Sequence, residues 1–217
     1  MKSFVITIMD NPHSVRAAER CIASAKRFGV TVEKFPAITP RDKDFKKLVE
    51  EKKLATHQFE SGHSRKDNAL ACFLSHLSLW EKSVEENEDI LILEHDAVFT
   101  GRIPALLGFH KVITLGEPSY GVYNTPRTLG TQPLAQKEYF KGAHAYAVRP
   151  WGAKDLIEMV PDYSRPTDVY LNIMNFPWLE EYYPWPVKVD DSFSTIQFQQ
   201  GCVAKHNYSK GIELVEA

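Results

Sequence analysis

Cysteine, long apolar runs and an excess of either charge are all scarce in this sequence. The three cysteines, Cys21, Cys72 and Cys202, are widely spaced, which fits neither a disulfide framework nor a Cys-x-x-Cys metal site and favours a reducing compartment. No apolar run approaches the ~18 residues of a membrane span, and the short run at the start meets Asp10 too early for a signal peptide. We therefore expect a soluble, cytoplasmic protein with no transmembrane segment.

The charge balance excludes a strong general attraction to polyanions. The chain has 26 Lys and Arg against 28 Asp and Glu, a formal charge of −2, so no bulk force draws it to nucleic acid or to a membrane surface. Its 217 residues, 43% of them hydrophobic, suffice for a core without disulfides. Because no repeat and no Gly- or Ser-rich linker divides the chain, residues 1–217 are expected to form one domain.

The amino-terminal half alternates strand and helix patterns. Residues 4–9 predict a buried strand and residues 31–35 a second strand, and Ser14 can cap the helix between them. Residues 68–87 carry an apolar stripe typical of a core helix, and the continuous apolar run 90–93 predicts a strand covered on both faces. This order predicts an α/β fold with a mostly parallel sheet.

The carboxyl-terminal half has a different composition. Ten of the thirteen prolines lie from Pro104 onward, and residues 120–135 are expected to form a loop. Residues 112–115 and 144–148 predict strands, and residues 151–160 predict a helix. We expect a loop-rich half built onto the same domain.

Glu94 and Asp96 follow the buried run 90–93. On an extended backbone their side chains project to the same side and can share one divalent cation, which in turn can hold a diphosphate. Ligands of open α/β sheets bind outside the carboxyl ends of the strands, where this pair lies. The alternative is a solvated turn, although a fully buried strand that delivers two carboxylates is unusual for a surface turn.

Ser75 and His76 lie in the middle of the apolar helix, where polar groups need partners. His76 is either a hydrogen-bonded core residue or a ligand contact. A Cys72 nucleophile one turn before His76 would suggest a hydrolase, but a mid-helix cysteine among core positions lacks the exposed, electropositive setting that favours a thiolate.

Together, residues 72–80 (Cys-Phe-Leu-Ser-His-Leu-Ser-Leu-Trp) and 90–97 (Ile-Leu-Ile-Leu-Glu-His-Asp-Ala) resemble glycosyltransferase family 25, which includes lipooligosaccharide and collagen galactosyltransferases. Segments 142–146, 151–153 and 166–168 fit its later motifs, so the resemblance spans about residues 4–170. His95 replaces the middle acid of the family's Glu-Asp-Asp. Histidine is itself a competent Mn²⁺ ligand.

The resemblance implies a GT-A type single domain with a mostly parallel, Rossmann-like sheet flanked by helices. Residues 1–100, approximately, would form the nucleotide-sugar-binding half, and residues 101–217 the loop-rich acceptor half. The implied reaction moves a sugar from a UDP-sugar donor to a hydroxyl, with Mn²⁺ or another divalent cation and with inversion. A glycan such as lipopolysaccharide is the expected acceptor, and protein hydroxyls or modified nucleic-acid bases are alternatives.

The resemblance also implies a set of site residues. The metal ligands would be Glu94 and Asp96, completed by His206 and with Asp190 and Asp191 as further candidates. The donor contacts would be Asn11, Arg16, Arg65 or its neighbour Lys66, Ser75, His76, Glu94 and His95.

Asp168, in Pro166-Thr167-Asp168, would be the catalytic base, and its alternative role is a helix N-cap. The aromatic run over residues 176–185 either stacks on an acceptor or belongs to the core. Two further functions stay open. One is a non-catalytic nucleotide-sugar-binding module, because His95 replaces the middle acid of the family's motif, and the other is a metal-dependent phosphohydrolase.

Overall fold

A computed structural model of the chain describes residues 1–61, 64–105, 107–190, 193–197 and 213–215. The helices in these ranges are α1 (Pro12–Arg27), α2 (Phe45–Glu51), α3 (Lys66–Glu86), α4 (Pro150–Met159) and α5 (Thr167–Tyr170). The strands are β1 (Lys2–Thr7), β2 (Glu33–Pro36), β3 (Ile90–Glu94), β4 (Ala97–Phe99), β5 (Val112–Thr114), β6 (Gly130–Pro133), β7 (Ala145–Val148), β8 (Leu179–Tyr183), β9 (Val187–Val189), β10 (Phe193–Ser194) and β11 (Glu213–Leu214).

Seven strands from both halves of the chain form one sheet in the order β2-β1-β3-β7-β5-β8-β6. Strand β7 runs antiparallel to both of its neighbours and β6 runs antiparallel to β8, whereas the other pairs are parallel. Two smaller sheets pair β4 with β9 and β10 with β11. The predicted α/β fold, with a mostly parallel sheet flanked by helices, is confirmed.

Strand β3 lies in the middle of the core, as its continuous apolar run predicts. Ile90 and Ile92 pack with α3 and α4 on one face of the sheet. Leu91 and Leu93 pack with α1 on the other face. All four side chains are fully buried, and burial of each contributes about 1.5–3 kcal/mol. This double burial fixes the position of Glu94, the last residue of the strand.

Asn11, not Ser14, caps α1. The Asn11 Oδ1 atom accepts hydrogen bonds from the backbone N–H groups of His13 at 2.9 Å and of Ser14 at 3.3 Å. Pro12 then occupies the first turn, where its missing N–H costs nothing. The predicted capping role of Ser14 is wrong, because the buried Ser14 hydroxyl accepts from the backbone N–H of Ile8 at 2.9 Å instead.

The second half contains strands that the sequence pattern does not indicate. Strand β6 lies within the predicted loop over residues 120–135 and forms the edge of the sheet, where Pro133 is tolerated. Strand β8 lies within the aromatic run and buries a carboxylate, Glu181. That carboxylate accepts backbone hydrogen bonds from Ala135 at 2.7 Å and Gln136 at 3.0 Å. A buried acid obscures the apolar alternation on which strand prediction depends.

Among the residues described, no helix has both the length and the apolar character needed to cross a bilayer.

Candidate active site

A cavity of about 740 Å³ lies at the carboxyl ends of β1 and β3, bordered by α3, α5 and the amino end of β7. This is the edge of an α/β sheet where ligands usually bind. The cavity brings together six of the residues that the sequence predicts for the site: Ser75, His76, Glu94, His95, Asp96 and Asp168. Residues that are far apart in the sequence therefore line the same cavity.

Glu94 is held by a hydrogen-bonded relay that starts in the core. The Trp80 indole N–H donates to the Tyr146 hydroxyl oxygen at 2.8 Å, and that hydroxyl lies 2.9 Å from His76 Nδ1. His76 Nε2 lies 3.2 Å from Glu94 Oε1. His76, Tyr146 and Trp80 are all fully buried, so each polar atom of the relay needs its partner.

The relay fixes the tautomer of His76. The Trp80 N–H can only donate, so the Tyr146 oxygen accepts from it. The buried Tyr146 O–H then donates to His76 Nδ1, which leaves the imidazole proton on Nε2, facing Glu94. Of the two interpretations that the sequence leaves open, His76 is a hydrogen-bonded core residue. It also lines the cavity, and its contact with a ligand stays a prediction.

Ionisation of Glu94 is favoured by its neighbours. Burial raises the pKa of this carboxyl, but the hydrogen bond from His76 and the nearby His144 and His95 outweigh that effect, and the pKa lies below its ordinary value. Glu94 is therefore a carboxylate at neutral pH.

Asp96 reaches the same cavity by a different geometry from the predicted one. Strand β3 ends at Glu94, and His95 and Asp96 form a turn before β4, so the extended backbone assumed for the pair is wrong. The Asp96 carbonyl accepts the backbone N–H of Asp190 at 3.0 Å, which anchors the turn to the end of β9. Glu94 and Asp96 nevertheless both line the cavity.

His95 contacts α1 and the segment that follows β9. Its Nδ1 atom lies 3.1 Å from the Ser14 hydroxyl, and its ring stacks on Phe193 with centroids 5.0 Å apart and planes 19° from parallel. Ser14 and Phe193 thus support the ring on two sides. The residue that departs from the family pattern is a cavity wall residue whose ring is fixed by packing.

Asp168 lies in the first turn of α5 and faces the cavity. Its Oδ2 atom accepts the Tyr120 hydroxyl at 2.5 Å, and its Oδ1 atom accepts the backbone N–H of Val169 at 2.9 Å. Burial raises the pKa of Asp168 above its ordinary value, against the opposing effect of these hydrogen bonds. The alternative N-cap role is wrong, because Pro166 is the N-cap of α5.

The other predicted donor contacts lie outside the cavity lining. Asn11 caps α1, and Arg16 is exposed on the same helix. The Arg65 guanidinium donates to the carbonyls of Val215 at 2.7 Å and Thr195 at 3.4 Å, and Lys66 pairs with Glu60 at 2.9 Å. A phosphate would have to displace these partners of Arg65 and Lys66.

Three further candidates have different outcomes. Asp190 pairs with Arg20 at 2.9 Å and does not line the cavity, whereas Asp191 and His206 lie outside the described residues. In the aromatic run, Phe176 is buried in the core against Tyr170.

Sequence reasoning missed four titratable residues that line the cavity: Tyr120, Tyr139, Lys141 and His144. Tyr120 lies in the expected loop over residues 120–135, and Tyr139 and Lys141 lie in a stretch for which the sequence predicts no element. His144 belongs to a stretch that predicts a strand, but it lies just before β7. Gly142, two residues before His144, is the signal in the sequence, because a glycine can mark a position where a neighbouring side chain packs closely against the backbone.

His144 is enclosed by two glycines. A Cβ atom on Gly116 would lie 2.3 Å from His144 Nε2, and one on Gly142 would lie 2.8 Å from His144 Nδ1. Gly142 also has a φ of +96°, a conformation that other residues rarely adopt. The imidazole therefore fills the space at Gly116, and the imidazole and the Ser119 hydroxyl fill it at Gly142.

Replacing Gly116 with alanine is expected to destabilise the fold by about 1–3 kcal/mol, because the added methyl overlaps the buried His144 ring. Urea unfolding would measure the change. Gly108→Ala is the matched control, since nothing lies within 4 Å of a Cβ at that position. Equal midpoints for the two variants would show that His144 moves aside without cost.

The carboxylates, rather than the sulfur and imidazole nearby, fit a hard divalent cation. Possible ligand atoms of Cys72, His76 and Glu94 lie within 4.8 Å of one another. However, burial raises the pKa of the Cys72 thiol well above its ordinary value, and the relay places a proton on His76 Nε2. Glu94 and Asp96 offer the oxygen ligands that Mn²⁺ and Mg²⁺ prefer.

Comparisons with known proteins show which sequences and structures the chain is similar to. The sequence model of a family described as "Glycosyltransferase family 25 (LPS biosynthesis protein)" matches residues 2–117. A "Glycosyltransferase 25 family member" of Aedes aegypti is 29% identical over 174 residues, which cover 71% of this chain and 29% of that protein. The chain therefore spans less than a third of the length of that relative.

Among solved structures, a mutant of Drosophila beta-1,4-galactosyltransferase 7 in complex with manganese, UDP-Gal and xylobiose aligns with 71% of this chain and 51% of its own. The TM-score is 0.36 and the sequence identity is 12%.

Proposed function

We propose that this chain, which belongs to glycosyltransferase family 25, transfers a sugar from a UDP-sugar to a hydroxyl acceptor with inversion at the anomeric carbon. Its seven-stranded sheet, flanked by helices, supports the proposal because it fits the α/β architecture that the resemblance to the family implies. One observation carries the proposal: a single cavity places the Glu94 and Asp96 carboxylates together with a separate buried carboxylate, Asp168.

The two groups of carboxylates suit different roles. Glu94 and Asp96 would hold a divalent cation together with the donor diphosphate. When bound, that cation supplies Lewis-acid stabilisation of the departing diphosphate. Asp168 comes from another element, α5, and accepts the proton of the acceptor hydroxyl.

The balance of the reaction is simple. The acceptor oxygen forms a bond to the anomeric carbon as the bond from that carbon to the diphosphate oxygen breaks. The proton of the acceptor goes to Asp168, which releases it to water after the product leaves. Because the acceptor oxygen attacks opposite the leaving diphosphate, one displacement inverts the anomeric carbon.

The relay through Trp80, Tyr146 and His76 holds the Glu94 carboxylate in place before the donor arrives. Fixing a charged group in advance lowers the cost of ordering it during binding. The His76 N–H also stabilises the ionised form of Glu94, which is the form that can bind a cation.

The acceptor we propose is a glycan. A hydroxyl of a protein side chain is the alternative, and a modified nucleic-acid base is disfavoured by the formal net charge of −2. A nucleotide-sugar-binding module without activity is the second candidate function, since His95 occupies the middle position of the acidic motif.

A panel of nucleotide sugars with and without Mn²⁺ tests the proposal. We expect UDP-sugars to raise the melting temperature more with Mn²⁺ than without it, and slow donor hydrolysis to accompany the preferred sugar. Stabilisation without any turnover, even with glycan acceptors, would favour the binding module. Cleavage of simple phosphate esters would indicate a phosphohydrolase and would overturn the proposal.

A further inference from the structure

We infer that Tyr120 is a positioning residue for Asp168 and that Lys141 secures the loop that carries Tyr120. This inference rests on the proposed function, in which Asp168 takes the proton of the acceptor. Neither residue belongs to a motif that the sequence singles out.

The contacts of Asp168 define its orientation. One carboxylate oxygen accepts the Tyr120 hydroxyl at 2.5 Å, and the other accepts the backbone N–H of Val169 at 2.9 Å. The Val169 bond comes from the neighbouring residue in the chain. Tyr120, in contrast, reaches Asp168 from a loop 48 residues away. The phenol therefore ties the carboxylate to a separate segment of the chain that lines the same cavity.

The loop is secured by a buried lysine. Lys141 is 4% exposed, and its ammonium group donates to the carbonyls of Tyr120 at 3.0 Å and Val122 at 2.5 Å. The Lys141 carbonyl in turn accepts the backbone N–H of Ser119 at 2.9 Å. Gly121 has a φ of +64°, and a Cβ there would lie 2.7 Å from the Lys141 ammonium nitrogen. Lys141 and the turn at Gly121 thus fit each other closely.

The arrangement has a chemical consequence for a general base. A base must be ionised and must direct a lone pair at the hydroxyl that it deprotonates. Burial favours the protonated form of Asp168, whereas the Tyr120 hydrogen bond favours the ionised form. With one oxygen bound to Tyr120, the remaining lone pairs of the carboxylate keep a fixed direction.

Several titratable groups surround Asp168 and enter any pH dependence. Burial is the main cause of the raised pKa of Asp168, and the charge of Glu94 on β3 adds to it. Burial likewise raises the pKa of Cys72 on α3 and of Tyr139, and the charge of Asp168 contributes to both shifts. Lys141 lies over the Tyr120 ring at 5.5 Å from its centroid. Variants should therefore be compared at one Mn²⁺ concentration, so that the effect of the cation on Glu94 is the same in each.

Tyr120→Phe is the decisive variant, because it keeps the ring and removes only the hydroxyl. We expect kcat to fall about tenfold with UDP affinity unchanged, since the lost bond was made to a charged group. We also expect the acidic limb of the kcat/KM profile to move to higher pH, because the ionised form of Asp168 loses a stabilising donor. A purely structural role would lower stability and activity without moving that limb.

Tyr123→Phe is the matched control. Tyr123 lies on the same loop, and its ring contacts Trp185 at 5.8 Å, away from Asp168. We expect its kcat and pH profile to match those of the unmodified protein. An unchanged kcat and an unchanged limb in Tyr120→Phe would overturn the inference.

Lys141→Met tests the role of the lysine through non-additivity. If Lys141 acts through Tyr120, the double variant with Tyr120→Phe should transfer no more slowly than the slower single variant. If the rate losses of the two single variants multiply in the double variant, and melting shows that the double variant is folded, Lys141 acts independently of Tyr120. Retained transfer in Asp168→Asn would instead overturn the proposed role of Asp168, so the two failures are distinguishable.

Discussion

Replacing Asp168 with asparagine is expected to slow sugar transfer at least ~100-fold while leaving UDP affinity close to that of the unmodified protein. In the proposed mechanism, the carboxylate would take the acceptor proton only as the bond to the anomeric carbon forms. Its loss therefore removes stabilisation of the transition state and leaves donor binding intact. Single-turnover transfer and UDP titration in the presence of Mn²⁺ measure the two quantities separately.

Asparagine suits this test because it keeps the shape of the side chain. Its amide oxygen can still accept either the Tyr120 hydroxyl or the Val169 N–H, although not both through the same pattern as the carboxylate. Asp168 is not the N-cap of α5, so the N-cap residue is the same in the variant. A loss of activity would then report on chemistry, provided that the melting temperature stays within a few degrees.

The pH dependence of the free energy of unfolding tests independently whether the Asp168 carboxyl is buried in the folded protein. Burial raises the pKa of Asp168 in the folded state, so the folded protein binds this proton more tightly than the unfolded chain does. Asp168 therefore contributes to the free energy of unfolding in full when the pH is below its pKa in the unfolded chain. This contribution is lost as the pH rises through the pKa of Asp168 in the folded protein. Asparagine does not titrate, so Asp168→Asn should gain stability relative to the unmodified protein as pH rises from 3 to 7.

Asp162→Asn is a suitable control for both measurements, because Asp162 is exposed on the loop before α5. Its transfer rate and its pH dependence of melting should follow those of the unmodified protein. If Asp168→Asn transfers sugar at close to the original rate, Asp168 is not the base.

The sequence predicts the parts of this fold that follow from apolar periodicity. The continuous apolar run over residues 90–93 predicts a strand buried on both faces, and the apolar stripe of α3 predicts a helix buried on one face. Both patterns match the observed core. The short strands β4, β6 and β8 escape prediction for a different reason. They hold few residues, and β8 buries Glu181, whose partners come from elsewhere in the chain.

The site shows the same division. Glu94 and His76 are identifiable because their positions follow from the strand and the helix that carry them. Asp96 lies in the turn after the strand, so its place in the cavity is predicted but its backbone geometry is not. Tyr120 and Lys141 are not, because their role depends on a loop that meets α5 only in the folded chain. Arg65 shows the opposite error, since its charge suggests a phosphate contact but its guanidinium binds backbone carbonyls.

Replacing Asp96 with asparagine is expected to weaken UDP binding at least ~10-fold in the presence of Mn²⁺ and to leave it unchanged without the metal. The loss of groups that merely support a metal ligand costs about 10–100-fold in metal affinity, and a ligand itself should cost no less. Glu94→Gln should behave similarly. Glutamine can still accept the His76 N–H through its amide oxygen, so this variant removes the charge and keeps the relay.

Asp190→Asn distinguishes a metal ligand from a nearby acid. Asp190 is joined to Asp96 by a backbone hydrogen bond of 3.0 Å, but its carboxylate pairs with Arg20 and does not line the cavity. We expect Asp190→Asn to retain the full effect of Mn²⁺ on UDP affinity. Calorimetric titrations of UDP into the three variants, each with Mn²⁺ and with a chelator, give the comparison. If UDP affinity in the unmodified protein is the same under both conditions, Glu94 and Asp96 do not bind the donor through a cation, and the acidic pair must then act on the acceptor or on the turn before β4.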